Sequence, residues 1–187
     1  MSWSERTSPV TPGTTPYDWS TPWLYQCTWY SYYRVQEGSG LNEPPCWYSG
    51  SGSTGSGLYT DAKYWLDHYR DPWQVKDLSY TPVAGDIIVF TGTHGHCVVV
   101  EKANGDGTYT ITDYNLIAGT ELFGRKTNYN YGDVIYGADY NTGACIGALH
   151  NPNIDPTPPT PTTNLPVIIS RVLKRIRLRR QPHVIFR

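Results

Sequence analysis

Residues 85–115 constrain the fold more than any other segment, because their pattern is that of three strands joined by two turns. Residues 87–90 and 97–100 are apolar and rich in β-branched side chains, and a polar stretch with two glycines separates them. An Asn-Gly-Asp-Gly sequence at 104–107 then favours a second tight turn. Residues 108–113 alternate as a half-buried strand does. The segment therefore predicts two successive β-hairpins in an antiparallel sheet.

These hairpins would bring polar side chains from different strands together. His96 opens the second predicted strand, and Asp113 and Asn115 follow at the end of the third. Those two ends are neighbours in an antiparallel pair, so the imidazole would lie beside a carboxylate or a carboxamide. A histidine oriented in this way is a candidate general base, and Cys27 is the upstream candidate for its nucleophile.

Cys27 lies in a segment, residues 24–37, where spacings of three and four predict a helix. The thiol would occupy the first turn, close to the positive end of the helix dipole, which lowers a thiol pKa. Most free cysteines are instead small buried core residues, and taken alone this segment favours that alternative. The catalytic interpretation of Cys27 depends on His96, Asp113 and Asn115, which would supply the base and its orienting group.

Further elements are predicted along the chain. Residues 58–70 read as a second helix capped by Thr60, with His68 on its solvated side. Strands are expected near 121–126 and at 134–140 and 144–149, the last two completing the sheet. Cys145 and Cys97 are expected in the core, with Cys97 on the strand face opposite His96. Cys46 is interpreted as structural or incidental.

Composition divides the chain into four parts. Residues 1–18 are an irregular lead-in, 19–150 a folded domain, 151–163 a Pro/Thr-rich linker and 164–187 a basic tail. Residues 1–163 hold 8 basic and 16 acidic side chains, a net charge of −8, whereas the tail holds 7 basic and no acidic ones. The tail pattern predicts a cationic amphipathic helix.

The tail has two partners that the sequence favours about equally. One is an anionic envelope, lipid or membrane surface, and the other is a protein, such as another virion protein or a second copy of the chain. Nucleic acid is not expected, since no aromatic stacking platform accompanies the charges. The N-terminal residues lack the pattern of a signal peptide, so we expect synthesis in a host cytoplasm.

Metal binding is not expected from the sequence. The four cysteines show no C-x-x-C spacing of the kind that zinc sites use, and we expect no cofactor. The 16 tyrosines and 7 tryptophans suit a polysaccharide-binding cleft, or equally a tyrosine-rich sheet without any sugar.

Four motifs in order resemble those of the CHAP domain, the cysteine, histidine-dependent amidohydrolase/peptidase family related to NlpC/P60 peptidases. They are Q-C-T-W-Y at 26–30, P-V-A-G-D-I-I-V-F at 82–90, G-H-C-V-V-V-E at 95–101 and I-T-D-Y-N at 111–115. The resemblance implies an α+β papain-like fold, with a nucleophile-bearing N-terminal helix packed on a central antiparallel sheet.

The resemblance also implies roles for individual residues. Cys27 matches the nucleophile, His96 the general base, Asp113 the acidic third member and Asn115 the carboxamide beside it. His94 is a rival base, but the family pattern places the histidine directly before the apolar strand. Gln26 is a weaker match to an oxyanion-stabilising glutamine.

Two further site expectations follow from the family. Trp29, in the same motif as the nucleophile, is a weak candidate for contact with substrate. Some relatives carry a calcium loop just upstream of the nucleophile, but residues 16–20 here contain one acid, too few hard oxygen ligands. We therefore expect no calcium.

The function implied is that of a phage cell-wall lysin, either an endolysin or a virion-associated enzyme. It would hydrolyse an amide bond of bacterial peptidoglycan, as an endopeptidase or an N-acetylmuramoyl-L-alanine amidase, after release or as part of the virion. The alternative is a non-catalytic virion or adhesion module that binds wall glycan. A disulfide between Cys27 and Cys46 would favour that alternative.

Overall fold

A computed structural model describes six stretches of the chain: 3–9, 26–40, 45–46, 61–115, 123–137 and 141–156. They contain one α-helix, α1, at Cys27–Ser39 and a short 3-10 turn at Ala62–Tyr64. The strands are β1 Gln74–Lys76, β2 Ile87–Phe90, β3 His96–Ala103, β4 Tyr109–Tyr114, β5 Phe123–Tyr129, β6 Ile135–Gly137, β7 Asn141–Gly143 and β8 Cys145–His150. The predicted α+β class, with the Cys27 helix on an antiparallel sheet, is confirmed.

Six strands form one antiparallel sheet in the order β1-β8-β2-β3-β4-β5. β2 lies in the middle and is buried on both faces, which is why its sequence is apolar at every position. Ile87 and Val89 pack in the cluster that includes α1, whereas Ile88 and Phe90 pack in a second cluster on the other face. Both predicted hairpins, β2–β3 and β3–β4, are present.

The helix α1 begins at Cys27, three residues later than the predicted start. Gln26 has extended backbone angles, φ −83° and ψ 156°, so the helical conformation starts at the next residue. The helix ends at Gly40, whose φ of 69° suits glycine and lets its N–H bond back to Gln36 O. Cys27 therefore lies in the first turn, as predicted.

The second predicted helix, at 58–70, is wrong over its described part. Residues 61–70 form only the 3-10 turn at Ala62–Tyr64 and further turns. The Lys63 N–H donates to His94 O, 3.3 Å away, so it is directed to the loop before β3. Gly95 allows this close approach, since a Cβ there would lie 2.3 Å from Lys63 N. Thr60 lies outside the described residues.

One strand prediction is wrong in its pairing, and one strand was not predicted. Residues 135–137 pair with β7 in a separate two-stranded hairpin and do not join the main sheet. The edge strand β1, which pairs with β8, was not predicted, because its three residues are too few to show an alternating pattern. The linker beyond residue 156 and the basic tail lie outside the described residues.

A buried ion pair joins α1 to the sheet. Arg34 on α1 binds Glu101 on β3 through Nε at 2.8 Å and Nη2 at 2.6 Å, and the two side chains are 1% and 0% exposed. Trp3 covers the pair: its ring lies 4.1 Å from the Arg34 guanidinium, and its Nε1 donates to Glu101 O. Residues 3–9 have no regular structure, yet Trp3 belongs to the core.

Within the described residues, no helix combines the length and the apolar character that crossing a bilayer requires.

Candidate active site

The start of β3 and the end of β4 are neighbours in the antiparallel hairpin, and this places His96 next to Asp113. His96 Nε2 lies 3.1 Å from Asp113 Oδ2, and both side chains are largely buried. A carboxylate at Nε2 keeps a proton on that nitrogen, so Nδ1 is the ring atom left to face a reacting thiol. The predicted proximity of these residues is therefore present in the structure.

The first turn of α1 carries Cys27 to the same place. Cys27 is partly exposed, and its thiol interacts with the side chains of both His96 and Cys97. All four cysteines are free, including Cys27 and Cys46, so no disulfide blocks the candidate nucleophile. A thiol, an imidazole and a carboxylate in contact form the arrangement used for nucleophilic acyl transfer.

The contacts of this cluster shift the ionisation of its members. The hydrogen bond from Cys97, followed by the charge and hydrogen bond of His96, holds the pKa of Cys27 well below its ordinary value of 9.0, against the opposing desolvation. Burial lowers the pKa of His96, but the Cys27 thiolate and Asp113 outweigh it and raise that pKa to about 10. The two groups therefore favour a thiolate–imidazolium ion pair at neutral pH.

Asn115 has a different contact from the one considered for it. Its φ is 60°, and its Nδ2 donates to Gln26 Oε1 over 2.8 Å. The carboxylate of Asp113 is the group that lies 3.1 Å from His96 Nε2. Asn115 binds the oxygen of the Gln26 side chain, so this contact does not use the Gln26 amide nitrogen. Gln26 directly precedes the nucleophile in the sequence.

Two other sequence candidates, Trp29 and His94, lie outside the contacts of this cluster. Trp29 is 2% exposed, stacks on Tyr33 and meets Tyr114 edge-on. A side chain buried to this degree has no surface to offer a substrate, so the expected contact is corrected to a packing role. The side chain of His94 is 67% exposed and pairs with Asp61, which separates it from the cluster.

The remaining cysteines are buried as expected, but Cys97 is closer to the site than the sequence indicated. It packs in the cluster that includes α1 and accepts a hydrogen bond from Ser31 Oγ at 3.3 Å. The feature of the sequence that could have indicated this is the position of Cys97 directly after His96. The N-terminus of a helix packed on the start of that strand would then lie close to both residues. Cys46 belongs to the same core cluster as Cys97, whereas Cys145 belongs to the cluster on the other face of the sheet.

Among the described residues, no group of three or more His, Cys, Asp or Glu side chains is arranged to hold a metal ion. Residues 16–20, on which the calcium expectation depends, lie outside them.

The ion pair predicts the pH dependence of the reaction. The thiolate is lost as pH falls through the lowered pKa of Cys27, and the imidazolium is lost as pH rises through about 10. Alkylation of Cys27 by iodoacetamide should therefore stay fast at neutral pH, and any acyl transfer by this pair should decline only near pH 10. A Cys27 alkylation midpoint near 9, the ordinary thiol value, would contradict the ion pair.

Gly124 on β5 gives a second prediction, because it pairs directly with Asp113. A Cβ at Gly124 would lie 1.9 Å from Asp113 Oδ1, so Gly124→Ala must displace the carboxylate from His96. We expect any acyl transfer by the Cys27–His96 pair to slow about ten- to hundredfold, the size of one lost charge-assisted hydrogen bond. In an Asp113→Ala background the same change should have little further effect, and an equal further loss would show that Gly124 acts elsewhere.

Comparison with known proteins adds to this geometry. A family model described as "CHAP domain" matches residues 16–115, slightly more than half of the chain. A curated relative, "Probable autolysin SsaALP" of Staphylococcus aureus (strain NCTC 8325 / PS 47), is 35% identical over 104 residues. The aligned part covers 54% of this chain and 33% of the relative, so the chain spans about a third of that protein's length. No solved structure matches the chain.

Proposed function

Because this chain belongs to the CHAP domain family, we propose that it is a hydrolase of bacterial peptidoglycan that cleaves an amide bond by thiol chemistry. The observation that carries the proposal is the contact of Cys27 with His96, whose Nε2 lies 3.1 Å from Asp113 Oδ2. The similarity to a protein named as an autolysin supports the choice of substrate.

The first half of the reaction would use the ion pair directly. The Cys27 thiolate attacks the amide carbonyl, and the resulting oxyanion lies at the N-terminus of α1, where the Cys27 N–H is not used by the helix. The Gln26 amide nitrogen is a second donor, since Asn115 holds the amide by its oxygen. The His96 imidazolium then protonates the leaving amine, and a thioester remains on Cys27.

The second half reverses these roles. The neutral imidazole takes a proton from water, which attacks the thioester and releases the carboxylate product. The protein returns to the thiolate–imidazolium pair. Asp113 contributes throughout by holding Nε2, which fixes the ring with Nδ1 toward the thiol and stabilises the imidazolium.

The bond is either within the stem peptide or cross-bridge, or between N-acetylmuramic acid and L-alanine. Purified walls treated with the protein should gain free amino groups without new sugar reducing ends, and mass spectrometry of the fragments distinguishes the two amide bonds. New reducing ends would contradict amide hydrolysis. If the protein sediments with walls but releases nothing from any of several hosts, a non-catalytic wall-binding module becomes the better account.

We propose more narrowly that the protein is a bacteriophage lysin, either released late from the host cytoplasm or carried on the virion. The support is the Pro/Thr-rich segment followed by residues 164–187, with 7 basic and no acidic side chains. The basic segment would attach the enzyme to an anionic envelope or to a virion protein. Immunodetection in purified virions would indicate the virion form, and detection only in late lysates the released form.

A further inference from the structure

We propose that Cys97 is a positioning residue for the nucleophile: its thiol donates a hydrogen bond to the Cys27 thiolate, and Ser31 holds that thiol in place. This inference deepens the proposed function and rests on its assignment of Cys27. Cys97 is a buried residue of β3, adjacent in sequence to the general base.

The geometry of α1 and β3 brings the three groups together. Cys27 and Ser31 are four residues apart on α1 and therefore share one face of the helix. Ser31 Oγ donates to Cys97 Sγ over 3.3 Å, and both residues are fully buried. Cys27 packs against the core cluster that contains Cys97, and the two thiols interact. The result is a chain of donors from the Ser31 hydroxyl through the Cys97 thiol to the Cys27 sulfur.

Ionisation fixes the direction of this chain. Desolvation, followed by the neighbouring Cys27, raises the pKa of Cys97 well above 9.0, so Cys97 keeps its proton while Cys27 loses one. A protonated thiol next to a thiolate can only be the donor. The described ionisable groups that act on this pair are His96 on β3 and Asp113 on β4.

A second donor has a consequence for catalysis. When His96 gives its proton to the leaving amine, the Cys27 sulfur is bonded to the carbonyl carbon of the substrate. The Cys97 thiol, held by Ser31, still contacts that sulfur and keeps its orientation. Cys97 forms no bond to the substrate in this scheme. It acts through Cys27, by stabilising the charge and the orientation of the sulfur.

The test compares the pH dependence of Cys27 alkylation by iodoacetamide in Cys97→Val, Cys97→Ala and Cys97→Ser, with the modified residue identified by mass spectrometry. Valine and alanine remove the donor, so we expect the midpoint to rise by about one pH unit, roughly a tenfold lower thiolate-to-thiol ratio. Serine restores a donor and should bring the midpoint back toward wild type. Cys145→Val, the same change in the other core cluster, should leave the midpoint unchanged.

A structural role alone would lower thermal stability without moving the midpoint. The proposal is overturned if valine and alanine leave the Cys27 midpoint within about 0.2 units, or if serine shifts it as far as valine does. Should the valine variant fail to fold, Ser31→Ala tests the same donor chain, and it should move the midpoint in the same direction by less. Alkylation needs no hydrolysis, so absent wall hydrolysis would count against the proposed function, and an unchanged midpoint against this inference.

Discussion

His96→Ala is expected to lower the rate of wall hydrolysis on the order of 10²- to 10⁴-fold, the usual contribution of a positioned general acid–base. Two losses combine in this variant. The leaving amine has no proton donor, and the Cys27 thiolate loses the neighbouring charge that helps to keep its pKa low. The alkylation midpoint of Cys27 should therefore rise in the same variant, which links the kinetic loss to the ion pair.

His94→Ala is the matched control for this prediction. His94 lies two residues earlier, and its side chain is 67% exposed and paired with Asp61. The variant should retain hydrolysis within a few-fold of wild type and an unchanged alkylation midpoint. If His94→Ala loses as much activity as His96→Ala, the assignment of the general base is wrong.

Glu101→Gln is expected to destabilise the fold by ~3–5 kcal/mol, because it leaves the Arg34 guanidinium buried without a counter-charge. Glu101 accepts hydrogen bonds from Arg34, from Thr112 Oγ1 at 2.6 Å and from Arg6 N at 2.9 Å. It therefore ties together α1, β3, β4 and the N-terminal residues. Urea denaturation at pH 7, followed by circular dichroism, measures the loss.

Arg125→Met provides the control for the buried pair. Arg125 binds Glu5 at the surface, where both side chains are about 30% exposed, and such pairs contribute only ~0–1 kcal/mol. An equal loss of stability in Arg125→Met and Glu101→Gln would show that burial of the Arg34–Glu101 pair is not what stabilises the fold. Arg34→Met, which leaves Glu101 unpaired, should resemble Glu101→Gln.

The sequence predicted the hairpins and the meeting of His96 with Asp113 because both depend on local patterns. Turn residues at 104–107 and apolar strands on either side of 91–95 set the register, and the register alone brings the strand ends together. Cys27 required a longer-range step. Its placement came from the helix dipole argument and from the family resemblance, since no local pattern fixes how a helix packs on a sheet.

The errors have tertiary causes. Residues 61–70 carry helical spacing, but the Lys63 N–H bonds to the loop at His94 instead of within a helix. Tertiary packing thus overrides a propensity worth only fractions of a kcal/mol per residue. Trp3 shows the same limit: it lies in a Ser- and Pro-containing segment without periodicity, yet Gly38 and Gly85 leave space for its ring.

Cys97 was interpreted as a core residue because strand alternation places it opposite His96. The burial is confirmed, but alternation says nothing about the helix packed on that face. The N-terminus of α1 lies over the start of β3. The side chains of both His96 and Cys97 therefore interact with the thiol of Cys27. Burial and participation in a site are therefore compatible for this residue.

The most direct test of the account is the loss of turbidity of purified Gram-positive walls in wild type, Cys27→Ala and Cys46→Ala. Cys46 is a buried free cysteine whose pKa is raised by desolvation, so its replacement controls for the loss of a thiol. The account predicts that wild type and Cys46→Ala clear the walls and that Cys27→Ala does not, although it still sediments with them. Clearing by Cys27→Ala at the wild-type rate would contradict it.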